Sequence, residues 1–310
     1  MKRPRSLAAG TALSVATLLG GCASEAQDHL VKGNRFLADG KRQDAQAEFR
    51  IAMRRSERPP EELLWKLGLL DLDSKNVYAA REELDQLVRR DPGSRARVAR
   101  TWLLFASRWF QAGDPFNAIQ AVEAARAAQP ERNLGPLYYE IGDHWFELPD
   151  YERAAESYLL ALALAPGLDA EATYRLGLAL ERLGRWRQAV TYYRQYAATG
   201  GERADSREVR YRLGEAAFRS AQASFLEHRY AEALDHLALV LEAGQPETRL
   251  DDAYYLLGEV RYRSGEVAAA EAAFVRVLEL SPSSSSRLYG EAERRLLDIR
   301  IGGAPVGESP

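Results

Sequence analysis

From residue 26 to about residue 300 the apolar positions recur at helical spacing, and the same short pattern returns about every 34 to 38 residues. A small residue is followed twelve positions later by alanine. Gly33 leads to Ala45, Gly68 to Ala80, Ala106 to Ala118, Gly142 to Ala154, Gly177 to Ala189 and Gly258 to Ala270. Four residues after each alanine stands a large side chain: Phe49, Leu84, Val122, Tyr158, Tyr193 and Phe274. The spacing predicts pairs of helices, A and B. The small residue and the alanine let the two axes approach, and the large side chain fills the groove between them. Pro92, Pro130, Pro166 and Pro282 close helix B, because proline cannot continue a helix. Gly40, Gly113, Gly184 and Gly265 sit where helix A must stop and turn, and Asp150 is placed to cap a helix starting at Tyr151. No stretch alternates with period two, so no sheet is expected.

One unit departs from this spacing. Tyr211-Arg-Leu-Gly214 matches Tyr174-Arg-Leu-Gly177, but the alanine at 233 comes nineteen residues after Gly214. The surplus of seven is about two helical turns, which keeps the packing face in phase. One long helix A is therefore predicted, Asp205 to Glu227, and Thr199-Gly200-Gly201 before it reads as a hinge. A last helix, Arg287 to Ile301, carries Glu291, Glu293, Arg294 and Arg295 as the polar face that an open-ended stack needs.

The pattern resembles the tetratricopeptide repeat (TPR) family, whose unit is a 34-residue helix–turn–helix. The resemblance implies an all-α, right-handed α-solenoid of about seven repeats with a C-terminal capping helix, acting as a protein-binding scaffold rather than an enzyme. In that family the fifth, ninth and twelfth positions of helix A line a groove. Carried over, the fifth gives Leu30, Trp65, Leu103, Tyr139, Tyr174, Tyr211 and Tyr255. The twelfth gives Leu37, Leu72, Phe110, Phe146, Glu181, Phe218 and Tyr262. The candidate partner-binding groove is then Trp65, Leu103, Phe110, Tyr139, Phe146, Tyr174, Tyr211, Phe218, Tyr255 and Tyr262, an aromatic-rich surface suited to an amphipathic helix or an extended peptide. The family's clamp for C-terminal carboxylates is not expected, because Leu30 and Trp65 stand where its lysine would be.

The N-terminus carries a separate signal. Lys2, Arg3 and Arg5 precede an uncharged run from Ser6 to Gly21, which ends in Leu19-Gly20-Gly21-Cys22. This resembles a bacterial lipoprotein signal, with residues 1–21 removed and Cys22 acylated. The run is shorter than the ~20 apolar residues of a membrane span. Cys22 is the only cysteine, so its acylation leaves no thiol for a disulfide or a thiolate site. The reading divides the chain into a leader, 1–21; a short linker, 22–25; repeats one to five, 26–200; repeats six and seven with the cap, 201–301; and a tail, 302–310. Ala23 after Cys22, together with the resemblance, implies anchoring in the outer membrane facing the periplasm.

Charge and chemistry narrow the function. Removing residues 1–21, with three bases and no acid, takes the formal charge from −3 to −6. That balance is a poor match for nucleic acid. His228, Glu232 and His236 have the four-and-four spacing of a metal site. However, His228 falls in a turn, so no metal or other cofactor is expected. Asp143-His144 has no serine or cysteine partner at a suitable spacing, and glycines occur singly, so neither a nucleophilic triad nor a phosphate loop is expected. The partners expected are envelope or secretion-machinery proteins, with the membrane held through the lipid. The resemblance extends to pilotins and to the lipoprotein subunit of β-barrel assembly, and the C-terminal part is similar to a periplasmic cell-division coordinator. A role in peptidoglycan or exported-polysaccharide handling is the alternative.

Overall fold

The computed structural model of the chain describes residues 13–165, 167, 169–199, 205–280 and 287–302, with side chains from residue 25 onward. Among these residues the protein is all α-helix and short turns, with no strand. It forms two compact units, residues 1–134 and 135–310. The division falls at 134/135, in the connection Gln129 to Pro136, where Pro130, Gly135 and Pro136 interrupt helix. Of the hinge expected at 199–201, Gly200 and Gly201 lie outside the described residues.

The first unit holds three helical hairpins: α1 (Leu13–Ala38) with α2 (Arg42–Arg55), α3 (Glu61–Asp73) with α4 (Val77–Arg90), and α5 (Arg95–Gln111) with α6 (Pro115–Ala128). The second holds four more and a final helix: α7 (Leu137–Glu147) with α8 (Tyr151–Leu164), α9 (Asp169–Arg182) with α10 (Trp186–Thr199), α11 (Arg207–Leu226) with α12 (Tyr230–Ala243), α13 (Leu250–Arg263) with α14 (Val267–Leu280), and α15 (Arg287–Arg300). α1 passes without a break through residues 22–25, the stretch read as a linker. Leu13 to Ala26 contains no proline to stop the helix. Among the described residues no helix is long and apolar enough to cross a membrane.

The small-residue rule has a direct physical basis in these hairpins. A Cβ on Gly33 would lie 2.4 Å from the Phe49 ring, on Gly142 2.6 Å from Tyr158, on Gly177 2.7 Å from Tyr193 and on Gly258 2.5 Å from Phe274. The four rings are fully buried and pack against the bare backbone of helix A. Gly40, Gly113, Gly184 and Gly265 turn four of the hairpins in the left-handed region, with φ between 69° and 80°. Asp150 caps α8, accepting from the backbone N–H of Arg153 at 3.2 Å. Pro92 opens a 3₁₀ turn after α4, and Pro130 follows the end of α6; Pro166 and Pro282 lie outside the described residues.

α11 has 20 residues where α12 has 14, so the long helix A is present. Ser206 caps it, accepting from Val209 N–H. The surplus lies at its N-terminal end, and α11 consequently has two registers. Towards α9 it uses the Gly214 register: Tyr174 donates to Glu208 at 2.8 Å and Arg212 donates to Glu181 at 3.2 Å. Towards α12 it uses Ala221, which is twelve residues ahead of Ala233. The ring pair Phe225–Tyr230, 6.0 Å between centroids, then repeats the pair Phe146–Tyr151 at 5.2 Å in the α7–α8 hairpin. The residue at the twelfth position of that repeat is therefore Phe225, and Phe218 is buried in the core, 2 % exposed. Gly214, freed from packing against α12, receives the connection after it: a Cβ there would lie 1.7 Å from the Gln245 carbonyl oxygen.

α15 closes the second unit by burying Ala292 and Leu296 with Tyr262, Phe274 and Val277. Arg295, read as part of its solvated face, instead turns in to Glu259, donating from Nε at 2.6 Å and from its terminal nitrogen at 3.0 Å. Residues 303–310, read as a tail, lie outside the described residues.

Candidate functional site: the helix-A face

The candidate groove residues divide between the two units. In the first unit, Trp65 on α3 is half-buried beneath the Arg97 guanidinium, 4.0 Å above its ring. Leu103 and Phe110 on α5 are half-buried, and Leu104 beside them is 59 % exposed. In the second unit Tyr139, Phe146, Tyr174 and Tyr255 are half-buried and Tyr211 is exposed, whereas Phe218 and Tyr262 are core residues.

The second unit's face is a polar ladder running between successive A helices. At its first rung, the Tyr158 ring lies on Gly142, and its hydroxyl donates to Asp143 at 2.6 Å. Arg175 of α9 stands 3.6 Å from the same carboxylate oxygen, and Tyr139 donates to Glu171 at 3.5 Å. At the next rung, the Tyr193 ring lies on Gly177 and its hydroxyl donates to Glu181 at 2.6 Å, with Arg212 of α11 on the other side. At the last, Glu259 of α13 is held by Arg295 of α15. The first unit has a neutral counterpart, Lys66 of α3 donating to Asn34 of α1 at 2.7 Å. Between α3 and α5 the equivalent positions are Leu69 and Leu104.

The electrostatics follow from this pairing. Burial, with Asp143 nearby, pushes the Tyr139 hydroxyl up to about 12. Burial and the bond to Glu208 bring Tyr174 up to about 12 as well. Tyr158 and Tyr193 are raised further by burial and by their carboxylate acceptors, so all four remain protonated donors at neutral pH. Carboxylates and guanidiniums neutralise each other along the face. Removing one hydroxyl tests the ladder: Tyr193→Phe is expected to cost about 1.5–3 kcal/mol in chemical denaturation, the scale of one hydrogen bond to a charged acceptor.

The sequence reading found the rings and missed the ladder. A signal for it was present: a base at the sixth position of helix A follows a polar residue at the ninth position of the preceding helix A. The pairs are Lys66 and Asn34, Arg175 and Asp143, and Arg295 and Glu259. His228 is exposed in the α11–α12 turn at φ +58°, its ring 3.1 Å from the Tyr230 hydroxyl. Among the described residues no three His, Cys, Asp or Glu side chains stand together as a metal site.

Stacked helical hairpins sealed by glycine-backed rings, with a face of paired charges and half-exposed aromatics, define a repeat scaffold for protein interactions. The tetratricopeptide repeat profile matches residues 30–95, 103–169 and 225–285, and a second profile of the same repeat matches 171–199. The chain belongs to the tetratricopeptide repeat family. Among curated proteins, none matches the chain. Solved structures similar to it include a tetratricopeptide repeat protein from Parabacteroides merdae, 14% identical, covering 89% of this chain and 99% of its own, TM-score 0.34. Pseudomonas aeruginosa pilF is 18% identical, covering 76% and 96%, TM-score 0.31. YrrB, described as a TPR protein with an unusual peptide-binding site, is 18% identical, covering 68% and 97%, TM-score 0.37.

Proposed function

We propose that the protein is a lipid-anchored adaptor of the bacterial envelope: Cys22 carries the acyl anchor in the outer membrane, and the helix-A face binds envelope or secretion-machinery proteins on the periplasmic side. The observation that carries the reading is the join between the leader and the repeats. The charged start and the short apolar run end at Cys22, which lies on α1 only a few residues ahead of Leu30 and Gly33, where that helix packs on α2. An acyl chain on Cys22 would hold that hairpin at the bilayer surface. The helix-A face suits an amphipathic partner, because Asp143, Glu181 and Glu259 and the hydroxyls of Tyr139, Tyr158, Tyr174 and Tyr193 are already paired within the chain while its rings keep exposed edges. A partner gains apolar contact there without stranding buried charge. Assembly of an outer-membrane, secretion or pilus complex is the task that fits such an adaptor.

Two measurements test the reading. Cys22→Ser should move the protein from the membrane to the soluble fraction, and a variant that stays membrane-bound overturns the anchor. In-cell crosslinking of the intact protein should capture an envelope assembly component. The triple change of Tyr139, Tyr174 and Tyr211 to alanine should abolish that capture with helicity intact. Capture of glycan in place of protein would replace the adaptor with the polysaccharide role.

A further inference from the structure

The two registers of α11 have a consequence on the other side of the second unit. The helix-B partner α12 is matched to Ala221, two turns along from the Gly214 register that α11 shows to the preceding repeat, about 10 Å in helical rise. A cleft of about 830 Å³ lies between α10 and α12, and a second hollow of about 490 Å³ continues it over Leu213 of α11, sharing Arg194, Ala198 and Leu239 with the first. On α10 the lining runs from Arg187 to Ala198, about 16 Å or three helical turns.

The walls carry opposite charge. α10 presents Arg187 and Arg194, and α12 presents Glu232, Asp235 and, in the continuation, Glu242. Arg187 and Glu232 are paired with each other at 3.0 Å. Arg194, Asp235 and Glu242 make no ion pair among the described residues, on a surface where most arginines are paired. His236 lines the same cleft with its side chain 13 % exposed. Neither of its ring nitrogens has a hydrogen-bond partner among the described residues; Glu232 is 3.6 Å away, beyond bonding distance. Ring nitrogens shielded from solvent without a partner are expensive to leave that way, so the position of this half-buried imidazole points to a group that arrives from outside.

We propose that this cleft is a second docking site, separate from the helix-A face, for one amphipathic helix of a partner protein. That helix lays an apolar stripe over Ala198, Ala238 and Leu239, with acids along the edge facing Arg194 and bases along the edge facing Asp235 and Glu242. The three-turn length and the charge split specify the occupant: a helix fits the length, and only one orientation of its charged edges pairs both walls. His236 hydrogen-bonds a polar side chain of the incoming helix. The proposal does not rest on the tyrosine face.

The test uses the full chain and two synthetic fourteen-residue amphipathic helices of identical composition, one with the acidic and basic edges as specified and one with the edges exchanged. Fluorescence anisotropy should show the specified helix binding at least tenfold tighter. Arg194→Glu should reduce that binding at least tenfold with unchanged circular dichroism. The double change Arg194→Glu with Asp235→Arg should transfer the preference to the exchanged helix. The triple tyrosine change should leave binding unaltered, which separates failure here from failure of the helix-A reading. Equal binding of the two helices, no binding of either, or binding indifferent to Arg194→Glu overturns the proposal.

Discussion

Gly214→Ala is expected to be among the most damaging single methyl additions in the second unit. Elsewhere a Cβ on the packing glycine of helix A meets a side chain: Leu84 at Gly68, Tyr193 at Gly177. A ring or an isobutyl group can tilt by a few tenths of an ångström. At Gly214 the added carbon would lie 1.7 Å from the Gln245 carbonyl oxygen and 2.8 Å from its carbonyl carbon. These are backbone atoms of the connection between α12 and α13, and relieving the clash means moving that connection off α11. The expected loss is at the top of the overpacking range, about 3 kcal/mol, read as a drop in denaturation midpoint. Gly290→Ala supplies the opposite sign. It lies inside α15, nothing approaches its would-be Cβ within 4 Å, and alanine is the better helix former by about 1 kcal/mol. Equal effects of the two substitutions would contradict the close approach at Gly214.

What the sequence disclosed, and what it did not, follows from the range of the interactions. The hairpin pattern was readable because its cause is local: twelve residues carry the chain from the small residue across the turn to the alanine, and four more, one helical turn, reach the large side chain. Seven hairpins and a cap emerge from that rule. The two-turn insertion was legible as a length, but its position was not. Gly214 matched its counterparts by its Tyr-Arg-Leu neighbours, and only the fold shows α11 answering to Gly214 on one side and Ala221 on the other. Phe218 was consequently placed on the groove when it belongs to the core, and Phe225 was passed over. The ladder needed pairs more than thirty residues apart, such as Arg175 with Asp143, whose meeting depends on how one A helix is set against the next. Unpaired charge at Arg194 and Asp235 could not be recognised before the pairing of their neighbours was known. The leader is the reverse case. The residues on which that proposal rests, Lys2 to Cys22, are all read from the sequence, and nothing in the packing of the described repeats bears on it.

Glu83 is expected to make the first unit less stable as pH rises from about 4.5 to 8, and Glu83→Gln is expected to remove that dependence. The side chain sits on α4 almost fully buried, 5 % exposed. Opposite it lies Asp71 of α3, fully buried, which receives Arg50 of α2 on both oxygens, at 2.6 and 2.7 Å, and Gln46 at 2.8 Å. Arg50 is thus committed to Asp71 and stands 3.6 Å from Glu83, whose other oxygen is buried without a partner. Two carboxylates share one guanidinium. Burial first, and then the charge of Asp71, push the Glu83 carboxyl up to about 8, against the pull of Arg50. An ordinary glutamate in the unfolded chain loses its proton near 4.5. Between those two values the folded chain holds a proton that the unfolded chain has released, so stability falls with rising pH, at no more than about 1.4 kcal/mol per unit. Below 4.5 both states are protonated and the full stability is present; above 8 both are charged and the loss is complete. Glutamine keeps the shape and an N–H donor for Asp71 but cannot ionise. The variant should therefore match the parent near pH 4.5 and exceed it progressively towards pH 8 in urea denaturation of the full chain. A difference between the two proteins that stays constant from pH 4.5 to 8 would show that Glu83 does not hold its proton in the folded state.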